Sequence, residues 1–181
     1  TVGSVYLTST VKQFGTTSCD LYGGTGSRVA SSPNPLYNIL NTGKFTVEFW
    51  LYVDNYHASY SDIVGRFNGV SAGWLIYQNG SYIEAYINGL QLQIARPSTE
   101  TWTHFALTRD GTTTRFFKDG VSGATSTASL GADQTSYFLA FGGDATGRNG
   151  LDGYVDEFRL TYGKARYTSN FTPSAEAFPD L

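Results

Sequence analysis

Four dipeptides constrain this chain more than any other feature: Asn79-Gly80, Asn88-Gly89, Asp110-Gly111 and Asp119-Gly120. They separate or follow runs that alternate apolar and polar residues. Asn-Gly and Asp-Gly accept the positive φ of a type I′ turn, so alternating runs split by such a pair read as a β-hairpin. Asn79-Gly80 separates GWLIYQ from SYIEAYI, and Asn88-Gly89 separates SYIEAYI from LQLQIA. Asp110-Gly111 follows WTHFALTR, and Asp119-Gly120 follows TTTRFFK. The middle of the chain is expected to be a meander of antiparallel strands.

Longer strands flank the meander. Alternation over residues 44–53 puts Phe45, Val47, Phe49, Leu51 and Val53 on one face, with Thr46, Glu48, Trp50 and Tyr52 on the other. Over 153–161, Tyr154, Asp156, Phe158 and Leu160 fall together, opposite Val155, Glu157 and Arg159. A strand at 137–141 feeds the glycine-rich loop GGDATGRNGLDG, and PLYNIL after Pro35 has room for one helical turn. Aromatic residues at 15%, charged residues at 15% and 21 glycines suit a chain of pleated, half-buried surfaces. At 181 residues the chain is long enough to bury a core without staples. The expected fold is all-β, a two-sheet antiparallel jelly-roll sandwich over residues 15–162. Residues 1–14 read as an N-terminal arm or added strand. Residues 163–181, with two prolines and no period-2 pattern, read as a wrapping segment or tether.

The order FTVEFWLYV, GWLIYQNG, WTHFALTRDGTTTRFFKDG and FGG…GLDGYVDEFRL resembles the laminin-G-like jelly rolls of the concanavalin-A-like lectin/glucanase superfamily. The closing phrase DEFRLTYGKARYTSNFTPSAEAF resembles the ends of such domains in bacteriophage virion proteins and bacterial surface proteins. The resemblance implies two antiparallel sheets, often a structural calcium ion, and partners that are glycans or proteins. It also implies an extracellular or virion-surface setting.

Several classes drop out on composition. A net charge of −3 supplies no basic field for nucleic acid. No apolar run is long enough to insert into a bilayer, and the N-terminus lacks a signal-peptide layout. With no methionine even at position 1, the chain reads as processed or as a piece of something larger. Cys19 is the only cysteine, so neither an intrachain disulfide nor a cysteine-based zinc site can form, and it reads as a small buried hydrophobe.

No catalytic constellation emerges. Glycoside hydrolysis needs two flanking carboxylates. The ExDxxE run of laminarinase-type relatives is missing, and FTVEFW offers Glu48 alone. A Glu48/Glu157 pair is a remote hydrolase alternative, weighed against solvated or paired structural roles. His104 lies within a strand opposite Phe105 and Leu107, reading as a surface or packing residue, and His57 sits in the loop DNYHASYSD. The glycine-rich stretches precede no helix, so they make no phosphate loop.

Two oxygen-donor sets are candidates for calcium. The resemblance points to Asp156, leading the core residues Phe158 and Leu160, with Asp20 and Gly24; otherwise Asp156 accepts backbone N–H groups. The alternative set is Asp144, Asn149 and Asp152, which reads sooner as a plain turn with no ion. For glycans, aromatic platforms with a few planar polar partners are expected. Candidates are Trp50, Tyr52, Tyr77, Tyr82 and Tyr86, with Tyr56, His57 and Tyr60 from one loop; Trp74 and Trp102 read as core or rim. Two functions compete: recognition of a glycan or cell-surface polysaccharide, and self-assembly with copies of itself or other virion or surface proteins.

Overall fold

The computed structural model describes residues 6–21, 23, 28–67, 73–131, 137–143 and 150–179. The strands are β1 (Tyr6–Thr8), β2 (Ser18–Asp20), β3 (Val29–Ala30), β4 (Lys44–Asn55), β5 (Ser61–Phe67) and β6 (Gly73–Asn79). They continue as β7 (Tyr82–Ile87), β8 (Leu90–Ala95), β9 (Thr103–Asp110), β10 (Thr114–Lys118), β11 (Val121–Ser126), β12 (Ala140–Phe141) and β13 (Asp152–Tyr162). Among the described residues they form a larger sheet of seven strands, β1-β2-β13-β4-β9-β10-β11, and a smaller sheet of six, β3-β12-β5-β6-β7-β8. Every pairing of named strands is antiparallel. The fold is an all-β, two-sheet jelly-roll sandwich, as the alternation predicts. The strand expected at 137–141 shrinks to Ala140–Phe141, and PLYNIL makes 3₁₀ turns at Pro35–Tyr37 and Ile39–Thr42.

The inner faces follow the period-2 reading. Phe45, Val47, Phe49, Leu51 and Val53 are fully buried, and meet Trp74, Ile76, Ile83, Ala85 and Ile87 of the smaller sheet in one core. Each of the Val, Leu, Ile and Phe side chains among them contributes roughly 1.5–3 kcal/mol by leaving water.

All four hairpins form, but their turns divide into two kinds. Asn88-Gly89 (φ 44° and 94°) and Asp119-Gly120 (φ 49° and 76°) have the two positive φ values of type I′. In the other two the turn falls one residue later, at Gly80-Ser81 and Gly111-Thr112. The displaced residues have side-chain work in the preceding strand. Asn79 donates its Nδ2 to Glu84 Oε1 at 2.9 Å. Asp110 Oδ1 accepts the N–H groups of Thr112 (3.1 Å) and Thr113 (2.9 Å), which fixes Asp110 as the first residue of its turn.

Strand β13 departs from simple alternation. The pairing slips between Asp156, opposite Trp50, and Arg159, opposite Glu48, with Glu157 in the left-handed region at φ 51°. This β-bulge inverts the phase of the strand. Asp156 and Tyr154 point outward, whereas Phe158 and Leu160 pack against the core. The expectation that these four share a face is therefore corrected.

Candidate functional site

The two outer faces differ in kind. That of the larger sheet is crossed by the C-terminal segment. Thr46 Oγ1 donates to Lys164 O (3.1 Å) and accepts from Arg166 N (2.9 Å), while Thr108 Oγ1 donates to Tyr167 O (2.9 Å). Farther along, Phe171 N–H donates to Gly120 O (2.9 Å), and Phe178 N–H donates to the Glu157 carboxylate. Tyr167 and Phe171 stack at 3.5 Å, and Arg159 lies 3.7 Å above the Phe178 ring. Residues 163–179 thus form a strap over β13, β4 and β9 and the β10–β11 turn.

Beneath the strap, Glu48 is fully covered. Its Oε1 accepts from Arg159 Nε (2.8 Å), and its Oε2 accepts from Tyr167 Oη (2.7 Å) with His104 Nε2 at 3.5 Å. Burial pushes its carboxyl up, but the hydrogen bonds of His104, Arg159 and Tyr167 outweigh that and hold it below the usual range. His104 lies opposite Phe105, as its place in the strand implies, yet it is buried between Trp50 (5.3 Å) and Phe171 (5.7 Å). Trp50 packs on Phe14, and Tyr52 on Trp102 and Tyr154. These candidate platforms therefore belong to the larger sheet's own aromatic packing.

The smaller sheet brings the other tyrosines together. Tyr77, Tyr82 and Tyr86 occupy its outer face, and Tyr60, just before β5, lies 5.9 Å from Tyr77. Tyr86 meets Phe67 edge-on at 5.2 Å. Tyr60 and Tyr82 are 52% and 45% exposed, which leaves their rings accessible to a ligand. Tyr56 stands apart, its ring 4.3 Å below the Arg96 guanidinium and its hydroxyl donating to Pro97 O (2.9 Å). His57 contributes its backbone carbonyl to Gln78 Nε2 (3.1 Å).

Polar side chains that sequence reasoning passed over complete this face. Glu84, fully buried, accepts from Tyr77 Oη (2.5 Å), Asn79 Nδ2 (2.9 Å) and Gln93 Nε2 (2.6 Å). Gln91 Nε2 reaches Tyr77 Oη at 3.5 Å. Burial first, and then the Glu84 carboxylate, push the Tyr77 phenol well above its ordinary value, so it remains a donor. Alternation in SYIEAYI places Tyr82, Glu84 and Tyr86 on one face of their strand, and alternation in LQLQIA places Gln91 and Gln93 on one face of the next.

Of the candidate calcium ligands, Asp156, Asp20 and Asp152 are among the described residues. Asp156 Oδ2 accepts the N–H groups of Gln13 (2.8 Å) and Phe14 (3.1 Å), and Oδ1 that of Glu157 (2.8 Å). Its carboxylate is thus engaged in tying the N-terminal segment to the bulge. Gly24, Asp144 and Asn149 lie outside the described residues. Asp152 accepts from Asn55 Nδ2 (2.8 Å), and Asp20 pairs with Tyr154 across β2 and β13. Asp54 lies near both, its carboxyl pushed up by burial and then by Asp152 and Asp20. Among the described residues no three His, Cys, Asp or Glu side chains are grouped to hold a metal. Among the described residues, these carboxylates supply fewer oxygens than the six to eight that calcium takes.

An apolar cleft of about 270 Å³ opens between β1–β2 and β3–β12, lined by Leu7, Cys19, Val29, Phe141, Val155 and Phe158 among others. Burial, and then Asp20, push the Cys19 thiol up to about 11, which keeps it protonated and unreactive.

A family model described as the concanavalin A-like lectin/glucanases superfamily, Laminin_G_3, matches residues 23–167. The chain belongs to that laminin-G family. No curated protein matches this laminin-G-like chain. Among solved structures it is similar to the binding domain of botulinum neurotoxin serotype G, at 12% identity and a TM-score of 0.64, over 90% of this chain and 42% of that one. It is also similar to domain 4 of AbnA, a GH43 extracellular arabinanase from Geobacillus stearothermophilus, in complex with arabinotriose. That likeness has 14% identity and a TM-score of 0.66, over 90% of this chain and 77% of the other. The laminin-G-like chain spans less than half the length of the neurotoxin domain. At such identities the likeness concerns the fold. No helix of the described residues is long and apolar enough to cross a membrane.

Proposed function

We propose that this laminin-G-like chain is a non-catalytic recognition module that binds glycans on the outer face of its smaller sheet. One observation carries the reading: Tyr60, Tyr77, Tyr82 and Tyr86 share that face with Asn79, Glu84, Gln91 and Gln93. Aromatic rings offer apolar faces to sugar C–H groups, and planar amides such as those of the exposed Gln91 and Gln93 bind hydroxyl pairs. The fold likeness to an arabinanase domain bound to arabinotriose supports the same reading. A non-catalytic role is supported by the acids first weighed for hydrolysis, since Glu48 and Glu157 are both committed to holding the strap. The setting we propose is extracellular, at a cell or virion surface, as the resemblance of the C-terminal phrase suggests.

A polysaccharide array, run with calcium and with a chelator, tests this. Binding is expected to weaken about 3–10-fold in Tyr82→Ala or Tyr60→Ala, the worth of one aromatic contact. An array blank under both conditions would end the glycan reading. The chelator arm reads whether calcium takes part.

A second reading, self-assembly, is favoured by the apolar cleft beside edge strand β1, where Leu7 is 77% exposed. Sedimentation across a concentration series, with Leu7→Lys as control, should then reveal a larger species that the variant lacks; a monomer throughout would reject it.

A further inference from the structure

The carboxylate in the floor of the tyrosine face limits the charge its ligand can carry. Glu84 is fully buried, and its three hydrogen-bond donors, Tyr77, Asn79 and Gln93, are all neutral. They fill most of the roughly four lone-pair positions of a carboxylate without compensating its charge. Cross-strand register places Asp62, Tyr77, Glu84 and Gln93 in one row over β5, β6, β7 and β8, so a second acid shares it. The adjoining row is Gly65, Leu75, Tyr86 and Gln91. Neither row contains a lysine or arginine. Arg96, just beyond β8, is engaged at the strand end, 4.3 Å above Tyr56 and donating to Gly80 O at 3.0 Å.

Resting on the reading of this face as a glycan site, we propose that it selects uncharged glycans and rejects those carrying uronate, sialate or sulfate groups. A like charge brought within about one sugar ring of Glu84 meets repulsion that ordinary screening does not remove. At an effective dielectric of about 20 this weakens binding at least about tenfold. Gln91 and Gln93, both exposed, supply uncharged donors and acceptors suited to sugar hydroxyls.

The test uses matched pairs: neutral polysaccharides from the array and the same polymers oxidised at C6 to uronates. Affinity is measured by calorimetry at low and at high salt. The expected result is at least about tenfold tighter binding of the neutral member at low salt, with the ratio narrowing at high salt and in Glu84→Gln. Equal or tighter binding of the oxidised member overturns the proposal and leaves the glycan reading standing. A preference that neither salt nor Glu84→Gln alters also overturns it, because the discrimination is then one of shape. Should Glu84→Gln fail to fold, the salt series on the unaltered chain decides. Failure of both members of every pair to bind removes the glycan reading itself, and this proposal with it.

Discussion

Glu48 lies on the outer face of its sheet, where period-2 alternation places it, and yet it is fully buried. Its position on the strand is a local property, but its cover is not: Tyr167, which donates to it, lies 119 residues farther along the chain. Alternation could therefore identify a paired or solvated acid but could not distinguish the two. Removing one partner of a covered charge leaves the others unpaired. Glu48→Ala should cost about 2–4 kcal/mol in urea unfolding, because Arg159 and Tyr167 both lose their acceptor in a covered site. Tyr167→Phe, which deletes one donor, should cost about 1 kcal/mol. An unchanged midpoint for Glu48→Ala would mean that the strap is not anchored there. Glu84 offers the complementary lesson. Its face is legible from SYIEAYI, but its importance is not, since a carboxylate held by neutral donors has the pattern of neither a hydrolytic nor an ionic pair.

At the scale of elements, what was legible followed from short-range chemistry. The meander from β6 to β11 is specified by turn residues adjacent to the strands they join, so its hairpins all form. The turns that fall one residue later do so because Asn79 and Asp110 have side-chain partners, a fact that dipeptide identity does not carry. Strand β13 shows the opposite case. Its bulge at Glu157 serves the packing, turning Phe158 into contact with Phe141 (4.8 Å) and Arg159 out toward Glu48. No local signal announced it, since glycine is the usual left-handed residue at such a bulge. The β10–β11 turn joins both kinds of determinant. Gly120 has φ 76°, and a Cβ there would stand 1.9 Å from the Phe171 carbonyl oxygen. Gly120→Ala should therefore lift the strap at Phe171 as well as strain the turn, at a cost of more than about 1 kcal/mol. Limited proteolysis should detect new cleavage between residues 163 and 179; the same cleavage rate as the parent would show that the backbone simply shifts aside.

The whole molecule is asymmetric about its core: a strap closes one outer face, and the other keeps tyrosines and amides in reach of solvent over a buried carboxylate held by neutral donors. The asymmetry should be visible in how stability varies with pH. Glu48 has a lowered folded-state pKa, so its contribution is full above the ordinary carboxylate value of 4.5 and is lost as pH falls through the lowered one. Tyr167 is pushed from 10.0 up to about 12 by burial and then by Glu48, so its contribution is full below 10 and lost as pH rises toward 12. Asp54 acts in the other direction on the acid side. Its raised pKa, from burial and then Asp152, means that protonation favours the folded state, so acid first relieves that end of the larger sheet while it weakens the strap. Hydrogen exchange over residues 163–171, rather than a global melt, separates the two acid effects. Protection there should fall on both limbs, with Glu48→Gln flattening the acid limb and Tyr167→Phe the alkaline one. If protection of the strap instead tracks that of the core at every pH, the strap and sandwich unfold as one cooperative unit, and the covered face cannot open independently of the fold.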